Sequence, residues 1–373
     1  MIIAGEESGD MHGANLIKEL INIDPAINIF GIGGDKMIAA GMNAQFNIKQ
    51  MAFLGFIEVI RHLPFINKVK HVLIKKINEE SINTIVLIDY PGFNLNLAKL
   101  LHKSGKKIIY YISPQIWAWG IGRIKNIRKL ITKMIVVFPF EEKLYLDENI
   151  DVNYVGHPLI EQIENYSFSS KDDLFEKLGL EKGKEILLLL PGSRKHEIKK
   201  IFPECISAAE RIAKEFNLQT VVACSENINK LIFSNLSINT NFKIVKGYTY
   251  DLMKYAAFGI IKSGTSTLEA GYFQLPFIVV YSTNILTYWL AKKVVKINNI
   301  AMANIILGEN VVDELIQSEV NSANIYLKCS VILKDKTIYN SIKLKLGRLK
   351  EILGGVGASK KAAILIYKLL NET

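Results

Sequence analysis

Residues 186–197 read ILLLLPGSRKHE. Five apolar residues end in Pro191-Gly192-Ser193-Arg194, and Ile198, Ile201, Ile206 and Ala209 then fall on the inner side of a helical pattern. An uninterrupted apolar run suits a strand buried on both faces, as in a parallel sheet, so strand, tight turn and helix make one βα unit. The turn leaves backbone N–H groups free at a helix start, where an anion is favoured. Gly192 lets the backbone approach a ligand closely, and Arg194 adds a planar fork that can hold two phosphate oxygens. An ordinary βα turn with a surface arginine has the same letters, so the stretch points to a fold class before it points to a ligand.

The unit repeats on both sides. Apolar runs at 219–223, 243–245, 258–262 and 277–281 continue the series, and runs at 27–32, 84–88, 107–112, 133–138 and 151–155 form an earlier one. Between them, residues 160–183 are polar and charged, with Ser167, Ser169 and Ser170, and read as a linker. The expected fold is α/β with two Rossmann-like domains, residues 1–160 and 184–341, each with its own parallel sheet and a ligand cleft between them. The tail from about 342 to 373 reads as amphipathic helix, interrupted at Gly354-Gly355.

A second phosphate-type turn lies at 262–271, KSGTSTLEAG. Ser263 and Gly264 end a strand, and Thr265, Ser266 and Thr267 open a helix. Small hydroxyls and free N–H groups there suit a diphosphate, with Glu269 placed to accept from two ribose hydroxyls. N-capping also explains the hydroxyls and the Glu, but not why a similar turn stands at 191–194. In the first half, AGEESGD at 4–10 opens a helix. It is a Rossmann-like turn without the GxGxxG pattern, and it sets Glu6, Ser8 and Asp10 at a sheet edge; capping by Ser8 or Asp10 is the simpler use. Only Met1–Ala4 remain for the strand before it, short enough to suggest a start further upstream.

Asp89 follows the 84–88 run and suits a general base at a sheet's carboxyl edge, though it can equally cap the next helix. Trp117 and Trp119, in SPQIWAW at 113–119, are hard to explain as core alone. Residues 51–73, MAFLGFIEVIRHLPFINKVKHVL, set Phe53, Leu54, Phe56, Ile57, Ile60 and Leu63 among Arg61, His62, Lys68, Lys70 and His71. An apolar face edged with cations suits a membrane surface or an acyl chain; a core helix pair broken at Pro64 is the alternative.

Composition narrows the classes. Hydrophobic content of 49% over 373 residues excludes a disordered chain and allows two domains. The net charge of +10 suits anionic lipids, phosphorylated substrates or nucleic acid, yet 40 of the 46 basic residues are Lys, a bias that an AT-rich genome also produces. The six arginines are too dispersed for a nucleic-acid face. Cys205, Cys224 and Cys329 have no metal or redox spacing and read as buried thiols in a reducing compartment. No His pair has metal-ligand spacing, and no secretory leader is legible. The uncharged segment 270–291 is long enough to span a membrane, but Gln274, Pro276 and Asn284 split it into a strand, a polar turn and a helix through Trp289.

AGEESGD, GFIEV at 55–59, IDYPGFN at 88–94, SPQIWAW, GHP at 156–158, LLPGSR at 189–194, SGTSTLE at 263–269, NIIL at 304–307 and the ELIQ ending at 317 occur in one order. Together they resemble the lipid-A-disaccharide synthases, inverting glycosyltransferases of GT-B architecture, over nearly the whole chain. The resemblance implies transfer from UDP-2,3-diacylglucosamine to 2,3-diacylglucosamine 1-phosphate (lipid X), giving a β-1′,6-linked disaccharide and UDP without a metal or other cofactor. It implies Asp89 as the base, Arg194 with Ser193 at the diphosphate, and Ser263, Gly264, Thr265 and Glu269 as the nucleotide shelf. Asn304 falls near the donor, and residues 51–73 match the apolar membrane and acyl-chain region. The resemblance further implies C-terminal helices packed back on the first domain, homodimers that exchange C-terminal portions, and a peripheral place on the cytoplasmic face of the inner membrane. Gly92 stands where the family often has a second Asp, and Ala303 where it usually has Pro. The nearest competing readings are a peptidoglycan lipid-intermediate transferase and a UDP-N-acetylglucosamine 2-epimerase; the first lacks the SPxxWAW stretch and the second has no lipid dependence.

Overall fold

The computed structural model describes residues 1–51, 62–119, 121–237, 241–283 and 299–372. They divide into two units, Met1–Glu164 with Leu353–Thr373, and Asn165–Ile352.

The first unit is built on seven strands: β1 (Ile2–Ala4), β2 (Phe30–Gly33), β3 (Asn43–Asn47), β4 (Thr84–Ile88), β5 (Lys107–Tyr111), β6 (Lys133–Val136) and β7 (Val152–Tyr154). They form one sheet in the order β3-β2-β1-β4-β5-β6-β7, with every pair parallel. β1 is short, yet it is central, with Ile3 opposite Ile32 on one side and Leu87 on the other. All five residues of β4 are buried, which is why its sequence shows no alternation. The helix Ala358–Asn371 returns to pack on the helix Glu7–Ile23, held by Ser359, whose N–H and hydroxyl both donate to Glu161. The expected return of the C-terminal helices is therefore present, from Leu353 onward. The helices Lys336–Gly347 and Leu349–Ile352 belong to the second unit, where Leu349 packs so closely on Gly271 that a Cβ there would lie 2.5 Å from its side chain.

The second unit holds six parallel strands: β8 (Glu185–Leu190), β9 (Leu218–Ala223), β10 (Lys243–Val245), β11 (Ala256–Lys262), β12 (Phe277–Tyr281) and β13 (Glu314–Ile316), in the order β10-β9-β8-β11-β12-β13. Leu187, Leu188 and Leu189 are fully buried at its centre. One reading changes. The expected linker carries a helix, Lys171–Leu178, capped by the Ser170 hydroxyl and packed through Leu174 and Phe175; its charges line only the solvent face. The strand expected in 270–291 is β12, and the helix expected after it lies outside the described residues. No described helix is long and apolar enough to cross a membrane.

Candidate active site

Strand order brings the two phosphate-type turns together. β8 and β11 are hydrogen-bonded neighbours, with Leu190 opposite Ile261 at their carboxyl ends. The turn after β8 and the turn after β11 therefore stand side by side, although some 70 residues separate them in sequence. A cavity of about 300 Å³ lies there, lined by Gly192, Ser193, Arg194, Glu197, Ser225, Lys262, Ser263, Gly264, Thr265, Ser266 and Glu269. Neither following helix has a side-chain cap: Arg194 precedes Lys195–Glu215 and Gly264 precedes Thr265–Tyr272. Their first-turn amides face the cavity edge with the positive ends of two helix dipoles. Gly192 takes a φ of +119° and Gly264 a φ of +152°, values that keep both turns free of side chains.

The individual roles separate on geometry. Ser193 and Arg194 are exposed at the rim. The Ser263 hydroxyl donates to the Ile300 carbonyl at 2.8 Å, keeping its lone pairs available. Thr267 accepts from Met302 N–H and donates to Gly264, so it braces the turn. Burial pushes the Glu269 carboxyl up to about 7, partly offset by the Tyr250 hydroxyl 3.4 Å away. Sequence reasoning missed Glu197 and Lys262. They pair at 2.9 Å beneath the turns, and Arg194 reaches the same carboxylate oxygen at 3.7 Å. The available signal was Lys262 itself, a cation closing an otherwise apolar strand.

Asn304 sits elsewhere in this unit. It is fully buried, its amide nitrogen donating to Val312 and Glu314 and its oxygen accepting from Val311 and Val312. Every polar valence is spent inside the protein, so it clamps the 311–314 segment. Ala303 beside it is buried in the helix Met302–Leu307.

In the first unit Asp89 lies at the carboxyl end of β4 and caps nothing: Tyr90 is the residue preceding the helix Pro91–Lys103. Asp89 and Tyr90 both take left-handed backbone angles, φ 44° and 47°. For residues with a Cβ this is costly, and it persists only when the surroundings fix it. They do here. The Asp89 carbonyl accepts from Tyr110 at 2.6 Å and from Asn94 at 2.7 Å, and the Tyr90 ring packs on Gly5, where a Cβ would lie 2.1 Å away. The carboxyl held at this strand end is largely buried. Burial, and then the Glu6 carboxylate, raise it to about 6.

Around the same edge, Ser8 is exposed in the first turn of its helix. Asp10 does not cap that helix. Its carboxylate accepts from the N–H groups of Gly34, Lys36 and Met37, and so organises the turn after β2. The indole N–H of Trp117 donates to buried Glu141, as does the Ser113 hydroxyl, and burial pushes that carboxyl up to about 7. The Trp119 side chain, like Phe53, Leu54, Phe56, Ile57 and Ile60, lies outside the described residues. Leu63 opens the helix Leu63–Glu79 and is exposed. Gly92 is also open: a Cβ added there would meet nothing within 4 Å. Among the described residues no three His, Cys, Asp or Glu side chains gather as metal ligands.

Two parallel-sheet Rossmann-like halves are the fold class of nucleotide-sugar transferases and epimerases. The UDP-GlcNAc 2-epimerase of Neisseria meningitidis, solved bound to UDP-GlcNAc, matches with a TM-score of 0.67 at 12% identity, covering 100% of this chain and 98% of that one. The calicheamicin glycosyltransferase CalG4 matches with a TM-score of 0.61 at 13% identity, over 100% and 97%. Identity that low speaks for fold alone. The sequence itself goes further: the family model described as LpxB, lipid-A-disaccharide synthetase, matches residues 1–364. The lipid-A-disaccharide synthase of Geobacter sulfurreducens is 34% identical over 379 residues, covering 100% of this chain and 97% of that protein. The chain belongs to the lipid-A-disaccharide synthase family and is a glycosyltransferase.

Proposed function

We propose that the protein condenses UDP-2,3-diacylglucosamine with 2,3-diacylglucosamine 1-phosphate. The acceptor 6-hydroxyl oxygen attacks the donor's anomeric carbon, the bond to UDP breaks with inversion, and the hydroxyl proton passes to Asp89. The observation that carries this reading is the cavity between two uncapped helix starts with Arg194 at its rim. A departing UDP gains negative charge on its diphosphate. Fixed N–H dipoles and a guanidinium placed there beforehand stabilise that charge without reorganisation. Glu269, in the same cavity, suits two ribose hydroxyls. Supporting the base role of Asp89 is its raised affinity for a proton, which brings it closer to working pH than an ordinary carboxylate. Ser8, exposed beside Glu6 at the same sheet edge, suits the acceptor. Asn304 supports the donor site from outside the cavity: it holds Glu314, which accepts from the Ile300 N–H, and the Ile300 carbonyl accepts from Ser263.

The lipid-bearing substrates require a peripheral place on an anionic membrane surface, here the cytoplasmic face of the inner membrane. Residues 51–73 supply apolar side chains among cations, and the chain is basic. Exchange of C-terminal portions between two copies belongs to the same reading.

The test is a product assay. Purified protein receives both substrates with excess chelator, and the products are read by mass spectrometry. A disaccharide 1-phosphate plus UDP is expected. UDP release without disaccharide would remove the proposed acceptor, and no reaction despite bound UDP would point to another UDP-sugar chemistry.

A further inference from the structure

The cavity contains a carboxylate that an anion-binding site does not need. Glu197 is buried, its side chain 9% exposed, directly beneath the turn that is read as holding a diphosphate. One of its oxygens packs on the turn, since a Cβ on Gly192 would lie 2.8 Å from Oε2. Its other oxygen faces two cations. Lys262 is 17% exposed and lies at 2.9 Å, with its ammonium also 5.6 Å from the centre of the Tyr281 ring. Arg194 is 48% exposed and lies at 3.7 Å, beyond a good hydrogen bond. Lys262 is therefore the close, fixed partner and Arg194 the loose, solvent-facing one.

Charge explains the arrangement. A carboxylate held in a buried turn draws in any cation within reach. With Lys262 in place, the three groups sum to one positive charge, and it resides on the exposed arginine at the rim. Without Lys262 the sum is zero, and Arg194 is the one cation left beside Glu197 among the described residues. We propose that Lys262 is a positioning residue: it neutralises Glu197 and thereby leaves Arg194 free for the diphosphate of the nucleotide. This rests on reading the cavity as the UDP site.

A salt bridge that merely supports the fold and one that releases Arg194 predict opposite outcomes in a double-mutant cycle. UDP is titrated calorimetrically into the full chain. Lys262→Met should weaken UDP binding about tenfold, the scale of a lost charge-assisted contact. Glu197→Gln should bind UDP at least as tightly as the wild type. The double variant again sums to one positive charge and should return to within about threefold of the wild type. Lys262→Arg, which restores the charge, should bind within about the same margin. A double variant as weak as Lys262→Met or weaker, or a Lys262→Arg variant as weak as Lys262→Met, would overturn the positioning role while leaving the UDP site standing. A wild-type protein that does not bind UDP would overturn the site, and this proposal with it.

Discussion

Replacing Asp89 with Asn should abolish turnover and stabilise the fold. The carboxyl is raised from an ordinary 3.8 to about 6, first by burial and then by Glu6. The folded protein therefore holds the proton more tightly than the unfolded chain does, and ionising Asp89 works against folding. The rise is about two units, an upper bound of about 3 kcal/mol, and partial access to solvent reduces it to about 1–2 kcal/mol. The sign follows. Below pH 4 both states are protonated, and wild type and variant should be equally stable. Between pH 4 and 6 the wild type loses stability relative to the variant, and above pH 6 the gap is fully open. Asn suits the site otherwise: it tolerates the left-handed backbone and can still accept from Tyr90 N–H. The assay is urea denaturation of both proteins at pH 4 and pH 7.5, beside turnover at pH 7.5. A variant less stable than the wild type at pH 7.5 would refute the reasoning, because the carboxylate would then be favourably held. Normal turnover would remove Asp89 from the base role.

Other perturbations probe other links. Glu6→Gln removes the secondary cause of the Asp89 shift, so the acid limb of the pH–rate profile should move below 6 without reaching the ordinary carboxylate value; an unmoved limb would disconnect the two groups. Arg194→Ala should weaken UDP binding by ~10-fold or more and slow transfer as well, and unchanged kinetics would make Arg194 a surface residue only. Asn304→Ala takes from the buried Val312 N–H and carbonyl the partners that Asn304 supplies, and should cost about 2–4 kcal/mol in urea denaturation; a neutral result would contradict the clamp. Replacing Phe53 and Phe56 with Ser should release the protein from anionic vesicles in a flotation assay, and unaltered binding would place the membrane face elsewhere.

The sequence by itself determined the α/β class, because strands buried on both faces must read as unbroken apolar runs, and those of β4, β8 and β11 do. It could not reveal β3 or β13. Both lie at sheet edges, each pairs on one side only, and neither NAQFN nor ELI has an apolar run for a reader to find. The two turns of the nucleotide pocket were legible one at a time, each as a helix start with small residues. Their meeting was not, because adjacency of β8 and β11 is a matter of sheet order rather than chain order. Capping was a fair expectation for Asp10 and Asp89 alike, and tertiary structure decided both: Asp10 serves amides more than 20 residues away, and Asp89 is turned out of the helix by a strained backbone fixed by Tyr110 and Asn94. Glu197 and Lys262 stand at the ends of the two quoted stretches, yet nothing in either stretch pairs them. Local propensity leaves its trace in neighbouring letters, whereas the electrostatic partner of a buried charge is chosen by whichever strand lies alongside it, and only the folded chain specifies that.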